Sequence, residues 1–480
     1  MYKKITAAII SAALLISLAA CGNSTEKKVN TEAAANGTVL ATVEKTGVTT
    51  EKTESKTEEK TEDKTEKTED NDGGSDKTEE NTKSDAASEL NIYEGGLLEA
   101  ADFFSDRDLK QTADTSEAES ISLKDGQDIS ITKAGVYVIS GTASEAEIVV
   151  DAGDDDKVQI VLDNATITNT SKPCIYVKNA DKVFVTTSGD NSLSVTGEFE
   201  ADGDTKTDAV IFSKDDLVIN GTGTLTVNSS DNGISGKDDL KITGSTLNIT
   251  AEDAGIEAND SVRIADGSIT ISAGNDAVHA ENDDDNSTGF VYICGGTLNL
   301  TAGDDGIHAT TVVQIDGGDI TIKAAECIEG TYVQLNDGNI SMEASDDGIN
   351  AAKKSNSYTP TIEVNGGYIK VVMGQGDTDG LDSNGYLYIK GGTVDVTAQF
   401  PFDYDIEAEH SGGTIIVNGE ETEDITNQFG GMGGHGGMGG KGGFSKPGNQ
   451  DGDFTPPEGF DPSQGFDPNQ GFSQPENSDK

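Results

Sequence analysis

Residues 295–309 read Gly-Gly-Thr-Leu-Asn-Leu-Thr-Ala-Gly-Asp-Asp-Gly-Ile-His-Ala, and the Asp-Asp-Gly-Ile phrase of this stretch returns at residues 346–349. Weaker copies recur every 21 or 22 residues, with longer intervals where polar insertions fall at 281–289 and 352–359. Each period adds two more apolar alternations, such as Val313-x-Ile315 and Ile320-x-Ile322. Three short strands per period predict an all-β chain folded as a right-handed parallel β-helix, with roughly 13 coils. The apolar repeat residue falls at Ile234, Ile256, Val278, Ile307, Ile328, Ile349, Leu381 and Ile406.

The rest of the chain differs sharply in composition from the repeat. Residues 1–21 have the charged start and apolar run of a signal peptide and end in Leu-Ala-Ala-Cys, the pattern of a bacterial lipoprotein, so Cys21 is predicted to be lipidated. Residues 22–88 are rich in Thr, Glu and Lys and predict a disordered stalk, while the Gly- and Pro-rich residues 430–480 predict a disordered tail. The domain is therefore expected at 89–429, with an irregular cap and first coils to about 212. Cys174, Cys294 and Cys327 are expected to be buried free thiols.

The charge of the chain is strongly negative, at −54. Residues 86–429 alone contain 63 acidic and 18 basic residues. Nucleic acid and anionic lipid surfaces are held by basic protein surfaces, so neither is expected as a partner; membrane association is expected through the lipid anchor only. The acidity instead favours cations.

Acidic corners flank the repeat residues and form a candidate calcium site. Stacking of coils about 4.8 Å apart would bring these side chains together, with almost no lysine nearby, and Ca²⁺ takes carboxylate and amide oxygens. The alternative is that Asp and Asn only form the turns. The candidate metal ligands are Asp253, Glu257, Asp276, His279, Asp304, Asp305, His308, Glu326, Glu329, Asp346, Asp347, Asn350, Asp379 and Asp382.

A second column of side chains faces outward on the first strand of each coil. Aromatic rings there can stack on the C–H faces of sugars, although exposed Tyr also simply suits strands. The column is predicted to run Val218, Lys241, Arg263, Tyr292, Gln314, Gln334, Glu363 and Tyr388. The candidate carbohydrate-binding residues are Tyr292 and Tyr388 of this column, with Tyr332 and Tyr386 at adjacent outward positions.

The repeat, the lipoprotein box, the Thr/Glu/Lys stalk and the Gly-Gly-Met tail together resemble a clostridial family of secreted carbohydrate-binding β-helix proteins related in fold to polysaccharide lyases. The resemblance implies binding of plant polysaccharide, of the cellulose or pectin type, with bound calcium. The lipoprotein pattern predicts that the protein lies on the extracellular face of the membrane, and a monomer is expected. No catalytic residue is implied.

Two other functions remain open at this point. A calcium-dependent polysaccharide lyase would need a base, for which Arg263 and Lys241 are the candidates. A surface adhesin or structural protein would need no glycan ligand at all.

Overall fold

The computed structural model describes residues 90–282, 285–375 and 378–426. The predicted signal peptide with Cys21, the stalk and the Gly- and Pro-rich tail lie outside these ranges. No helix in the described ranges has the length and apolar character needed to cross a membrane.

Within these ranges the chain forms a short 3-10 helix, Ala100–Asp102, and 30 strands. The all-β prediction is confirmed. The strands are β1 Glu119–Ser122, β2 Ile129–Ile131, β3 Gly135–Ser144, β4 Ile148–Asp151, β5 Lys157–Asn169, β6 Ile175–Asn179, β7 Lys182–Ser188, β8 Asp190–Val195, β9 Ala209–Ser213, β10 Asp216–Gly221, β11 Thr224–Ser229, β12 Asn232–Gly236, β13 Asp239–Ala251, β14 Ile256–Ala258, β15 Ser261–Ala273, β16 Val278–Ala280, β17 Phe290–Thr301, β18 Asp305–Ala324, β19 Glu326–Leu335, β20 Asn339–Ala344, β21 Asp347–Ala351, β22 Thr361–Val364, β23 Tyr368–Met373, β24 Asp379–Ser383, β25 Tyr386–Ile389, β26 Thr393–Thr397, β27 Phe400–Tyr404, β28 Glu407–His410, β29 Thr414–Val417 and β30 Glu420–Thr422.

These strands pair in parallel as three stacks. The first stack contains β1, β3, β5, β7, β10, the starts of β13, β15 and β17, the middle of β18, the end of β19, and then β22, β25 and β28. The second contains the ends of β3 and β5, then β8, β11, the ends of β13, β15, β17 and β18, and β20, β23, β26 and β29. The third contains β2, β4, β6, β9, β12, β14, β16, the starts of β18 and β19, and β21, β24 and β27.

Parallel pairing continues through the first coils, which were expected to be irregular. Register shifts occur there between Ser140 and Gly141 and between Val150 and Asp151. At the far end, β30 pairs with β29 in the antiparallel sense, which gives the last strand of the second stack a partner.

The core lies between the three stacks and is formed by the repeat residues and their equivalents. Ile256 pairs with Val278, Val278 with Ile307, Ile307 with Ile328, and all four are fully buried. Like side chains therefore lie above like side chains, as the sequence predicted.

One predicted repeat residue is wrong. Ile406 is 55% exposed, and Phe402 pairs with Leu381 in its place. The chain from Leu381 to Phe402 is 21 residues, the normal period, so the apparent 25-residue interval came from choosing Ile406. An aromatic repeat residue preceded by Pro401 does not match the Asp-Asp-Gly-Ile pattern, which explains the error.

Cys174, Cys294 and Cys327 are buried free thiols, as predicted. Burial raises the pKa of each, for Cys294 and Cys327 to about 12, so these thiols are inert as nucleophiles.

The glycine before the repeat isoleucine is required by the close approach of the next coil. A Cβ on Gly255 would lie 2.7 Å from the carbonyl oxygen of Ala277 and would also collide with Cγ2 of Ile271. Gly255→Ala is therefore expected to lower the free energy of unfolding by about 1–3 kcal/mol, the usual range for overpacking. Urea denaturation measures this loss. The matched control is Gly236→Ala, whose Cβ would lie 3.6 Å from its nearest neighbour; equal midpoints for the two variants would contradict the stacking described above.

Candidate functional site

The outward column predicted on the first stack is present in the structure. Lys241 pairs with Arg263, Arg263 with Tyr292, and the register continues to Tyr388 as the sequence predicted. The column is divided, however, into a covered and an uncovered part. The cover is the N-terminal segment, residues 90–111, which packs on the outward face of the first stack.

Side chains of the column hold the N-terminal segment by its backbone. Gln314 Oε1 accepts a hydrogen bond from the amide of Leu98 at 2.7 Å, and Gln334 Oε1 accepts one from Leu97 at 2.8 Å. Asp316 Oδ2 accepts a third from Tyr93 at 3.0 Å. The sequence-based prediction missed these partners; the apolar pairs Leu97-Leu98 and Phe103-Phe104, within an acidic stretch, are the signal that could have indicated a packed segment.

Tyr292 is not a carbohydrate-binding residue of this surface, and the prediction for it is wrong. It faces outward from the coil but is fully buried under the N-terminal segment. Its ring contacts Phe103 edge-on at 5.1 Å, and its hydroxyl donates to Asp316 at 2.8 Å. Strand alternation predicted its direction correctly but could not show that another segment covers it.

Arg263 and Lys241 are covered by the same segment. The Arg263 guanidinium pairs with Asp239 at 2.7 Å and lies 4.5 Å from the Phe103 ring centroid. Lys241 Nζ lies 3.7 Å from Asp108 of the N-terminal segment, and its side chain is 8% exposed. A polymer cannot reach either base in this arrangement.

The uncovered part of the column is an aromatic face. Tyr386 and Tyr388 lie on one face of β25 with their rings stacked, 5.6 Å between centroids and 14° between planes. Both are partly exposed. Tyr332 pairs in register with Thr361, which in turn pairs with Tyr386. Tyr332 is also partly exposed.

Polar groups fix this face. Glu363 lies between Gln334 and Tyr388 in the column and accepts hydrogen bonds from the Tyr332 hydroxyl at 2.7 Å and from Gln334 at 3.1 Å. Lys390 pairs with Glu363 at 2.9 Å and lies 5.3 Å from the Tyr388 ring centroid. Burial and Glu363 both raise the pKa of Tyr332, so its hydroxyl stays protonated and donates. We define the aromatic face as Tyr332, Tyr358, Glu363, Tyr386, Tyr388 and Lys390.

Tyr358 was not predicted. It comes from the polar insertion at 352–359, and its ring meets that of Tyr332 edge-on at 6.2 Å. An insertion has no periodicity, so the sequence did not indicate that it returns to this face.

The acidic corners lie on the third stack, where residues after each repeat residue form a column. Glu257 pairs in register with His279, His279 with His308, His308 with Glu329, Glu329 with Asn350 and Asn350 with Asp382. The expectation that almost no lysine is nearby is wrong. Lys237 pairs with Glu257 at 2.7 Å, and Lys354, from the insertion, pairs with Glu329 at 2.8 Å.

Two imidazoles occupy the centre of this column. The rings of His279 and His308 stack with centroids 4.6 Å apart and planes 8° apart. Asp276 lies 2.5 Å from Nδ1 of His279, and Asp305 lies 2.7 Å from Nδ1 of His308, which Glu329 also approaches at 3.0 Å. Glu281 lies 3.2 Å from Nε2 of His279. Burial would lower the pKa of each histidine, but the carboxylates beside it raise it: Asp276 and Glu281 raise that of His279 to about 9, and Asp305 and Glu329 raise that of His308 to about 10.

Among the described His, Cys, Asp and Glu residues, two triplets bring their ligand atoms within 4.8 Å of one another: Asp276, His279 and His308, and Asp305, His308 and Glu329. The other predicted acidic ligands do not form such a triplet: Asp253, Glu257, Asp304, Glu326, Asp346, Asp347, Asp379 and Asp382.

A corner with oxygen donors only lies farther along the column. Asp347 pairs in register with Asp379, and Asn350 with Asp382. Burial raises the pKa of Asp347 to about 8 and that of Asp382 to about 6, with neighbouring carboxylates acting in the same direction. Asn350 donates its amide to Glu326 at 2.8 Å, which leaves its buried Oδ1 without a hydrogen-bond partner. Crowded carboxylates beside an unpartnered amide oxygen fit calcium, which takes oxygen ligands; the imidazole-containing corners fit it poorly.

Comparison with known proteins assigns the family. The profile of the family described as "carbohydrate-binding domain-containing protein" matches residues 125–380, more than half of the chain. The chain belongs to this family. The resemblance inferred from the sequence is thereby confirmed, and the matched region includes the third-stack corners as far as Asp379 but ends before Tyr386.

One relative in this family comes from Acetivibrio thermocellus and bears the same description. It is 41% identical over 143 residues, which are 29% of this chain and 49% of the relative, so the match spans about half of the relative's length. A solved structure titled as the polysaccharide lyase-like protein from C. thermocellum, gadolinium derivative, is 30% identical. That match covers 54% of this chain and 96% of the solved chain, with a TM-score of 0.39.

Proposed function

We propose that this protein binds plant cell-wall polysaccharide, of the cellulose or pectin type, on the cell surface without cleaving it. The observation that supports this most directly is the uncovered stacked pair Tyr386 and Tyr388, because paired rings offer a rigid apolar platform at low entropic cost. The family description agrees with a carbohydrate ligand.

In this proposal the three stacks are the three sheets of a right-handed parallel β-helix. The continuous parallel pairing from β1 to β28 supports it, and the handedness follows the rule for parallel crossovers. Coils of this kind present one long flat face per stack. Such a face suits an extended polymer better than a small ligand.

The proposed arrangement at the cell surface rests on the sequence of the N-terminal region. Cys21 would carry the lipid, and the Thr/Glu/Lys stalk would hold a monomeric binding domain away from the membrane. The polymer would then be kept near the cell.

The charge around the aromatic face favours a neutral polymer for direct contact. In the coil after β25, Glu407 and Glu409 pair in register with Tyr386 and Tyr388. A polyuronate would be repelled by these carboxylates unless cations lay between, and calcium is the ion we propose for that role, as well as for the oxygen-only corner.

This difference gives a test by co-sedimentation. Binding to insoluble cellulose is expected to be unchanged by a chelator, whereas binding to insoluble pectate is expected to need calcium. If neither polymer retains the protein, with or without calcium, the adhesin function takes its place.

The same polymers separate binding from cleavage. A lyase leaves an unsaturated product that absorbs in the ultraviolet. Because Arg263 and Lys241 are covered, we expect no rise in absorbance during incubation with polygalacturonate and calcium. A rise that Arg263→Ala abolishes would make the protein an enzyme.

A further inference from the structure

We propose that the stacked histidines mark a site for a divalent transition metal of the zinc type, separate from the calcium proposed at the oxygen-only corner and independent of polysaccharide binding. The ligands are the Nδ1 atoms of His279 and His308 with carboxylates of Asp276, Asp305 and Glu329. Zinc binds imidazole nitrogen together with carboxylate oxygen, whereas calcium selects oxygen.

The geometry of the two triplets supports a shared ion. They have His308 in common, and within each triplet the donor atoms lie within 4.8 Å of one another. Ligand atoms on one zinc ion, at about 2.0–2.2 Å from it, lie no more than about 4.4 Å apart, so the side chains would rotate towards the ion to close the shell.

Packing also holds the side chains of the proposed ligands in fixed positions. Asp276, Asp305, His308 and Glu329 are 3–8% exposed, so their rotamers are constrained by the coil. Asp276 Oδ1 accepts the amide of Asp305 at 2.9 Å, which ties one coil to the next and orients the carboxylate. The Asp-x-x-His spacing occurs in two successive coils, so the imidazoles are held in the same orientation, one above the other.

The carboxylates around the two rings supply the oxygen donors that a divalent ion needs. Asp276 and Glu281 contact the ring nitrogens of His279, and Asp305 and Glu329 contact Nδ1 of His308. A divalent ion would lie in the ring planes beside the Nδ1 atoms and would take the place of the protons that these nitrogens otherwise share with the acids. Turn formation alone explains one Asp per corner but not two stacked imidazoles with their Nδ1 atoms facing buried acids.

The test is calorimetric titration of the full chain, stripped with chelator, with Zn²⁺ in the presence of excess Ca²⁺. Wild type is expected to bind one equivalent of Zn²⁺ that Ca²⁺ does not displace. His308→Ala and His279→Gln are each expected to weaken that equivalent by about 100-fold or more, since losing even an outer partner of a metal ligand costs 10–100-fold. His410→Ala is the matched control, because His410 ends β28 away from this column, and it is expected to bind as wild type does.

Three results would overturn the proposal: no tight equivalent in wild type, displacement by an equal concentration of Ca²⁺, or unchanged binding in His279→Gln. Circular dichroism checks folding; if His308→Ala does not fold, His279→Gln decides, since His279 is partly exposed. Co²⁺ gives a second readout. Its visible absorption should show nitrogen ligation in wild type and His410→Ala, and identical spectra in His279→Gln would also overturn the proposal.

Discussion

Replacing Tyr386 and Tyr388 together with alanine is expected to weaken polysaccharide binding by about 30-fold to 100-fold. Each ring contributes apolar contact at the uncovered face, and aromatic residues at the centre of a binding surface typically cost more than about 1 kcal/mol each when truncated. Stability should change little, because both side chains are partly exposed and face away from the core. Retardation in gels containing soluble polysaccharide measures the effect.

The matched control is Tyr368→Ala. Tyr368 is 40% exposed but belongs to β23 on the second stack, outside the aromatic face. Tyr332→Ala should lie between the two, because it also removes a donor from Glu363. Equal binding by wild type and the Tyr386/Tyr388 double variant would place the polysaccharide elsewhere.

Calcium is expected to stabilise the domain, and more strongly as the pH rises. Without calcium, Asp347 and Asp382 have folded-state pKa values raised to about 8 and about 6. A carboxyl whose pKa is raised on folding binds its proton more tightly in the folded state, so these groups lower the free energy of unfolding as pH rises from about 4 to about 8. Calcium replaces the protons and offsets this loss.

The magnitude follows from mass action. At a calcium concentration of about 100 times the Kd, the free energy of unfolding should rise by about 2.7 kcal/mol. Thermal unfolding at pH 5 and pH 8, with calcium and with chelator, measures both effects. Asp347→Asn with Asp382→Asn should abolish the calcium effect and flatten the pH dependence, while Asp319→Asn, an exposed aspartate on the second stack, should not. If calcium does not change the melting temperature at either pH, calcium does not bind at this corner and its acidic residues only form the turn.

The sequence predicted the strand pattern well because stacking imposes it locally. Lys241, Arg263, Tyr292 and Gln314 follow one another in register as the period required. Where the pattern weakened, the prediction weakened too: Phe402 replaces the expected Ile406 because an aromatic residue fills the same core position.

The site was harder to predict because it depends on segments outside the repeat. The N-terminal segment buries Tyr292. The insertion at 352–359 places Tyr358 against Tyr332 of the aromatic face and Lys354 against Glu329 of the acidic column, whose other residues follow the repeat. Such contacts join residues far apart in sequence, and no period connects them. The histidine pair was found by periodicity, yet its meaning depends on the carboxylates facing each Nδ1 atom, which only the structure places.

Calorimetric titration of the protein with soluble cello-oligosaccharides, with polygalacturonate and with xylan, each with calcium and with chelator, tests polysaccharide binding most directly. We expect saturable binding of at least the neutral cello-oligosaccharides, lost in the Tyr386/Tyr388 double variant, with no ultraviolet-absorbing product in the cell afterwards. The absence of binding heat for every polymer under both conditions would contradict the proposed function.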